Sequence, residues 1–265
     1  MRRKTLITAL LFIAALALAA CAGKVRSVKF DNTLSRKLGG EPVTLTGKLA
    51  KPDGDGPFPA VVIMHPCVGL TRNQDSWASR FKSWGYVSLQ VDSFGPRGVS
   101  NDCGKPPKKV PFELRAQDAY DAKSYLASLP FVNADRIAVV GWSHGARSAL
   151  KVVTLDFNYP RKKLFLAAVA FYPYCKEWLD NVNAPLLILT GELDDWCPAQ
   201  KCIDNVPEKT KTGHEVILKV YPGAHHCFDI KGLDKTSHGH RLKYNPRAAA
   251  DAEVQVKDFL AKYLR

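Results

Sequence analysis

Residues 136–146 read RIAVVGWSHGA, an apolar run that breaks into Gly141-Trp142-Ser143-His144-Gly145. A serine set on a tight turn between a strand and a helix presents its hydroxyl above the end of a sheet, at a positive φ. Small residues must flank it, because helix and strand backbones approach closely there. Gly141, Gly145 and Ala146 meet that need. The chemistry such a serine serves is attack on a carbonyl carbon.

A serine hydroxyl attacks only when a histidine takes its proton, and the histidine needs a carboxylate to hold its tautomer and its charged form. Both partner types follow in the chain. The apolar run PLLILTGELDD, residues 185–195, ends with Asp194 three residues past Gly191, where the chain leaves a sheet. The run HEVILKVYPGAHHCF is a further strand with His226 in the loop after it. Ser143, Asp194 and His226 are the expected catalytic residues, in the chain order nucleophile, acid, base. Asp195 and His225 are the neighbouring alternatives, since adjacent loop residues cannot be told apart by periodicity. The side chains of His65 and His144 are expected to be structural.

The segments GWSHGA, GELDDW and YPGAHHCF, preceded by VVIMHPCVGL and DSFGPRG, resemble the motifs of the dienelactone hydrolase family over roughly residues 41–264. The resemblance implies an α/β-hydrolase fold and an oxyanion hole made of backbone donors. One would come from the loop His65–Leu70, as the N–H of Cys67, and the other from the residue after the nucleophile, as the N–H of His144. It also implies cleavage of a small carboxylic ester or lactone through an acyl-enzyme, with no cofactor and no metal. Dienelactone hydrolase proper carries a cysteine nucleophile where this sequence carries Ser143. A peptidase on the same fold is an alternative, because the same constellation serves amides. A non-catalytic envelope binding protein is another, because fold alone does not fix function. A metal site of Cys197, Cys202, His238 and His240 fits no standard zinc spacing.

The elements that must position these residues are legible as alternation. Apolar, β-rich runs at 59–65, 86–91, 136–140, 164–171, 185–190 and 215–221 are separated by helical patterns. That predicts α/β units in a mostly parallel central sheet with helices on both faces. Ala119, Ala122, Leu126 and Leu129 mark the core face of a helix near 113–129. Ala252, Val256, Phe259, Leu260 and Tyr263 mark that of the last helix. The short connection between 171 and 185 leaves no room for a large cap domain. Loops 93–112 and 227–246 should rim an open site. Residues 41–265 read as one catalytic domain, with 21–40 as a tether.

MRRKTLITALLFIAALALAAC has a basic start and an apolar stretch too short to span a bilayer, then small residues before Cys21. Residues 1–20 are expected to be a bacterial lipoprotein signal peptide. Cys21 would be lipidated, placing the protein in the cell envelope, facing the periplasm or the exterior and held to a membrane. Six further cysteines in an oxidising compartment suggest disulfides. The expected pairs are Cys67 with Cys103, Cys175 with Cys202, and Cys197 with Cys227. The net charge of +13 favours anionic surfaces. Its basic residues are scattered and form no nucleic-acid motif, which argues against nucleic acid as a partner. Arg97, Lys105, Lys108 and Lys109 on one rim loop and Lys231, Lys235, Arg241 and Lys243 on the other suggest an anionic substrate.

Overall fold

The computed structural model describes residues 25–32, 42–104, 108–154 and 164–265. The expected signal peptide and Cys21 lie outside them. Eight strands form one sheet: β1 (Arg26–Asp31), β2 (Thr44–Ala50), β3 (Phe58–Met64), β4 (Val87–Asp92), β5 (Val132–Trp142), β6 (Ala168–Phe171), β7 (Leu186–Gly191) and β8 (Val216–Tyr221). Their spatial order is β1-β2-β4-β3-β5-β6-β7-β8. The first two pairings, β1 with β2 and β2 with β4, are antiparallel, and the rest are parallel. Among the described residues five α-helices accompany them: α1 (Arg72–Ser83), α2 (Phe112–Ala127), α3 (His144–Thr154), α4 (Ala199–Asn205) and α5 (Pro246–Leu264). This is the mostly parallel α/β sheet expected from the alternation.

The central strands are apolar on both faces because both faces are covered. Val62, Met64 and Val139 point into one core with Ala119, Ala122 and Leu126 of α2 and Ala146, Ala149 and Leu150 of α3. The intervening Val61, Ile63, Ala138 and Val140 point into the other, with Trp77 and Phe81 of α1 and Ala252, Val256, Phe259 and Leu260 of α5. The period-two swap of sides in β3 and β5 therefore separates two cores across one sheet. Between β6 and β7 the chain runs only from residue 172 to 185, without an inserted domain.

Four strands depart from the expected list. β1 lies within the stretch read as a tether, so the sheet begins earlier than residue 41. Its sequence RSVKFD fully buries only Phe30 and exposes charges, which suits an edge strand that must not recruit another chain but leaves only a two-residue apolar alternation, Val28 and Phe30. β2 is half polar, in keeping with its antiparallel pairing. β9 (Asp234–Ser237) and β10 (His240–Lys243) form a small hairpin inside the 227–246 loop.

Candidate active site

Ser143 sits between β5 and α3 at φ 51°. Its N–H donates to the Phe171 carbonyl oxygen at 2.9 Å, which ties the turn to the neighbouring strand β6. The close approach required of the flanking glycines is literal. A methyl at Gly145 would lie 2.2 Å from the Met64 carbonyl oxygen, and one at Gly141 2.2 Å from the Gly145 carbonyl oxygen.

His226 leaves the sheet after β8, and its Nε2 lies 3.0 Å from Ser143 Oγ. On its other side Nδ1 lies 2.7 Å from Asp194 Oδ2. Asp194 Oδ1 accepts from the N–H groups of Trp196 and Cys197 at 3.0 and 2.7 Å. One oxygen is thus fixed by the turn while the other faces the imidazole. An acceptor carboxylate at Nδ1 makes that nitrogen the N–H, leaving Nε2 as the acceptor for the serine proton. The imidazole lies between two rings, Tyr172 at 4.5 Å and Trp196 at 5.4 Å between centroids. Asp194 and His226 are buried, while Ser143 is partly exposed and reachable.

The adjacent alternatives face elsewhere. Asp195 accepts from the Arg241 N–H and lies 3.6 Å from His240. His225 lines a surface pocket with Lys243 and Arg247.

Next to Ser143 in the chain, His144 belongs to a buried polar cluster that motif spacing does not reveal. Arg115, on α2 and fully buried, donates to the His65 carbonyl oxygen at 2.7 Å and meets His144 Nδ1 at 2.6 Å. One guanidinium therefore spans the loop that begins at His65 and the ring of the residue after Ser143. Burial pushes Arg115 down to about 9. Burial first, and then the charge of Arg115, holds both His65 and His144 below the usual histidine range, so both rings are neutral. His65 Nε2 accepts from the Ser93 N–H, so its Nδ1 donates to the Pro66 carbonyl at 2.6 Å. Both rings have structural work, in line with the sequence expectation.

Two of the three expected disulfides are present. Cys67–Cys103 joins the His65–Leu70 loop to the 93–112 loop, and Cys175–Cys202 joins the segment after β6 to α4. The third expectation is corrected, because Cys197 and Cys227 are free thiols. Cys227 stands at φ 60° with its thiol toward the Tyr172 hydroxyl, and Cys197 is held in the Asp194 turn. Burial pushes both thiols up, which favours the protonated form. Cys202, one residue of the metal set weighed above, is used in a disulfide. Among the described residues no group of His, Cys, Asp and Glu is arranged to hold a metal ion.

The rim charges are also partly engaged. Arg97 makes a two-pronged bond to Asp118, with both contacts at 2.8 Å, and Arg241 pairs with Asp234. Lys105 lies outside the described residues. Lys108 Nζ donates to the carbonyl oxygens of Asp102 and Gly104.

The family model of the dienelactone hydrolase family matches residues 45–264. Protein usf of Aquifex pyrophilus is 26% identical over 237 residues, covering 84% of this chain and 95% of that protein. Esterase FrsA of Escherichia coli is 32% identical over 133 residues, but that stretch is 48% of this chain and 28% of the esterase. The crystal structure of dienelactone hydrolase from Anabaena variabilis superposes with a TM-score of 0.68 at 18% identity, covering 92% of this chain and all of that one, a likeness of fold. The match spans Ser143, Asp194 and His226 alike: the chain belongs to the dienelactone hydrolase family of the α/β-hydrolase superfamily and is a hydrolase.

Proposed function

We propose that this hydrolase cleaves a carboxylic ester or lactone through an acyl-enzyme on Ser143. The observation that carries the reading is the continuous relay from Ser143 Oγ to His226 at 3.0 Å and on to Asp194 at 2.7 Å, with the serine at φ 51°. In this reading His226 takes the serine proton as Oγ attacks the carbonyl carbon and returns it to the leaving oxygen. Asp194 orients the ring and stabilises the imidazolium. The N–H groups of Cys67 and His144 hold the oxyanion. Water then repeats the sequence and releases the acid. Purified protein assayed against chromogenic esters, lactones and anilides, with fluorophosphonate labelling, tests it. The expectation is turnover of esters or lactones with labelling of the protein; no turnover and no labelling would refute it.

The same reading includes an anionic substrate. The basic residues of the two rim loops, Lys108 and Lys109 on one and Lys231, Lys235 and Lys243 on the other, support it. An ester carrying a free carboxylate should show a higher kcat/KM than its neutral amide analogue at low salt. That advantage should shrink as the Debye length falls below about 10 Å near 0.1 M salt. Equal values at both salt levels would remove rim charge from substrate choice.

We also propose that Cys21 is the mature, lipidated N-terminus and holds the enzyme to an envelope membrane. The basic, apolar, small-residue order before it supports this. Several acyl chains at one residue would anchor stably where one chain does not. Mass spectrometry of the mature N-terminus should find Cys21 acylated, and a mature chain without acyl groups contradicts the proposal.

A further inference from the structure

The carboxylate of Asp229, three residues past His226, gathers four donors. Its Oδ2 accepts from Asn73 Nδ2, Trp77 Nε1 and Trp142 Nε1, each at 2.9 Å, and its Oδ1 accepts from the Tyr172 hydroxyl at 2.8 Å. Two of these donors belong to parts that fix the relay. Trp142 immediately precedes Ser143. Tyr172 lays its ring 4.5 Å from the His226 imidazole, and its neighbour Phe171 accepts the Ser143 N–H. Tyr172 stands at φ 42°, a conformation costly for an aromatic residue unless its surroundings hold it. The other two donors, on α1, take no part in the relay and serve as a fixed mooring.

The donors match the acceptor. Burial and the nearby charge of Asp229 push the Tyr172 phenol well above its usual range, so it remains an O–H donor. Each indole has a single N–H to place. Hydrogen bonds to a carboxylate are stronger than those between neutral groups.

We propose that Asp229 is a positioning residue for the nucleophile and base: it clamps the turn bearing Ser143 and the loop bearing His226 to one point, fixing the separation of Oγ and Nε2. The proposal rests on the serine-hydrolase reading above. The base must lie within hydrogen-bond reach of the proton it takes, and a misplacement of about 1 Å can cost on the order of 10²-fold in rate. The Asp229 carboxylate bonds both to the residue before the serine and to the ring packed on the histidine.

Asp229→Asn tests it. An amide offers one acceptor oxygen where the carboxylate offers two, and its NH2 would face a donor. With an ester turned over by the wild type, kcat and the rate of fluorophosphonate labelling should each fall about 10²-fold. KM should stay within about twofold, because substrate binding is untouched. A carboxylate that merely stabilises the fold would lower the melting temperature and leave kcat of the folded protein unchanged; that result overturns the proposal. Should Asp229→Asn fail to fold, Tyr172→Phe removes the Oδ1 donor and keeps the ring on His226. It should lose roughly tenfold in kcat, about 1.4 kcal/mol of barrier, at unchanged KM, and wild-type kcat there overturns the proposal equally. Labelled, active wild type beside an unaffected Asp229→Asn removes only the role of Asp229. Wild type that is neither labelled nor active removes the hydrolase reading itself.

Discussion

Ser143→Ala should lose ester hydrolysis by on the order of 10⁴-fold or more and lose fluorophosphonate labelling entirely, while remaining folded. The substitution removes one oxygen whose bond is to His226 Nε2, and alanine suits a space that already accommodates the serine Cβ. The backbone stays at the same positive φ, so strain is little changed. His226→Ala should fall nearly as far, since an unassisted hydroxyl at neutral pH is a weak nucleophile. Residual rate would come from the oxyanion donors and binding alone. Asp195→Asn is the internal control. Its carboxylate faces Arg241 and His240 rather than the imidazole, so its rate should match the wild type. Folded Ser143→Ala that retains ester hydrolysis within about tenfold of the wild type would end the acyl-enzyme mechanism.

Gly145→Ala should cost the fold rather than the chemistry. Its Cβ would fall 2.2 Å from the Met64 carbonyl oxygen and 2.5 Å from that of His65. Both are backbone atoms of the strand end that leads into the Cys67 loop, and neither can swing aside as a side chain would. Overpacking against rigid neighbours costs about 3 kcal/mol at the upper end of the usual range. In a domain of this size that lowers Tm by roughly 6–12 °C. Gly104→Ala is the comparison, since nothing stands within 4 Å of its added Cβ, and it should melt with the wild type. A Gly145→Ala protein melting within about 2 °C of the wild type would show that α3 can retreat from β3, against the close packing described.

What the amino-acid sequence makes legible is what lies close together in the chain. Ser143, Asp194 and His226 each follow an apolar run, so their place after a strand is plain from neighbouring residues, while the choice of Asp194 over Asp195 and of His226 over His225 takes the contacts of the folded chain. The strands of the central sheet are legible for the same reason, being apolar on both faces. Asp229 is not, because its meaning lies in Asn73, Trp77, Trp142 and Tyr172, up to 156 residues away, and an Asp in a loop has no local signature. Arg115 is hidden similarly on α2, where an arginine usually faces water. β1 escapes notice because its alternation is confined to two apolar residues, Val28 and Phe30, among Arg26, Ser27, Lys29 and Asp31. Two disulfides follow from which loops meet at the strand ends. The third does not form: Cys197 and Cys227 follow the acid and base candidates in the chain, but that placement in sequence does not encode whether two thiols bond.

The anchoring of the histidine loop to α1 also has a meaning in time. A ribosome delivers Asn73 and Trp77 early and Ser143 midway, but His226 follows the serine by 83 residues, and Asp229 comes later still. Contacts so distant along the chain can close only after the intervening segments have settled, because the entropy of long loops must be met before such contacts reward it. β8, whose end carries the histidine, is the edge and the last strand of the sheet. A nascent or truncated chain therefore holds a serine without its base. Competence needs the last strand of the sheet in place and the carboxylate behind it bonded back to α1.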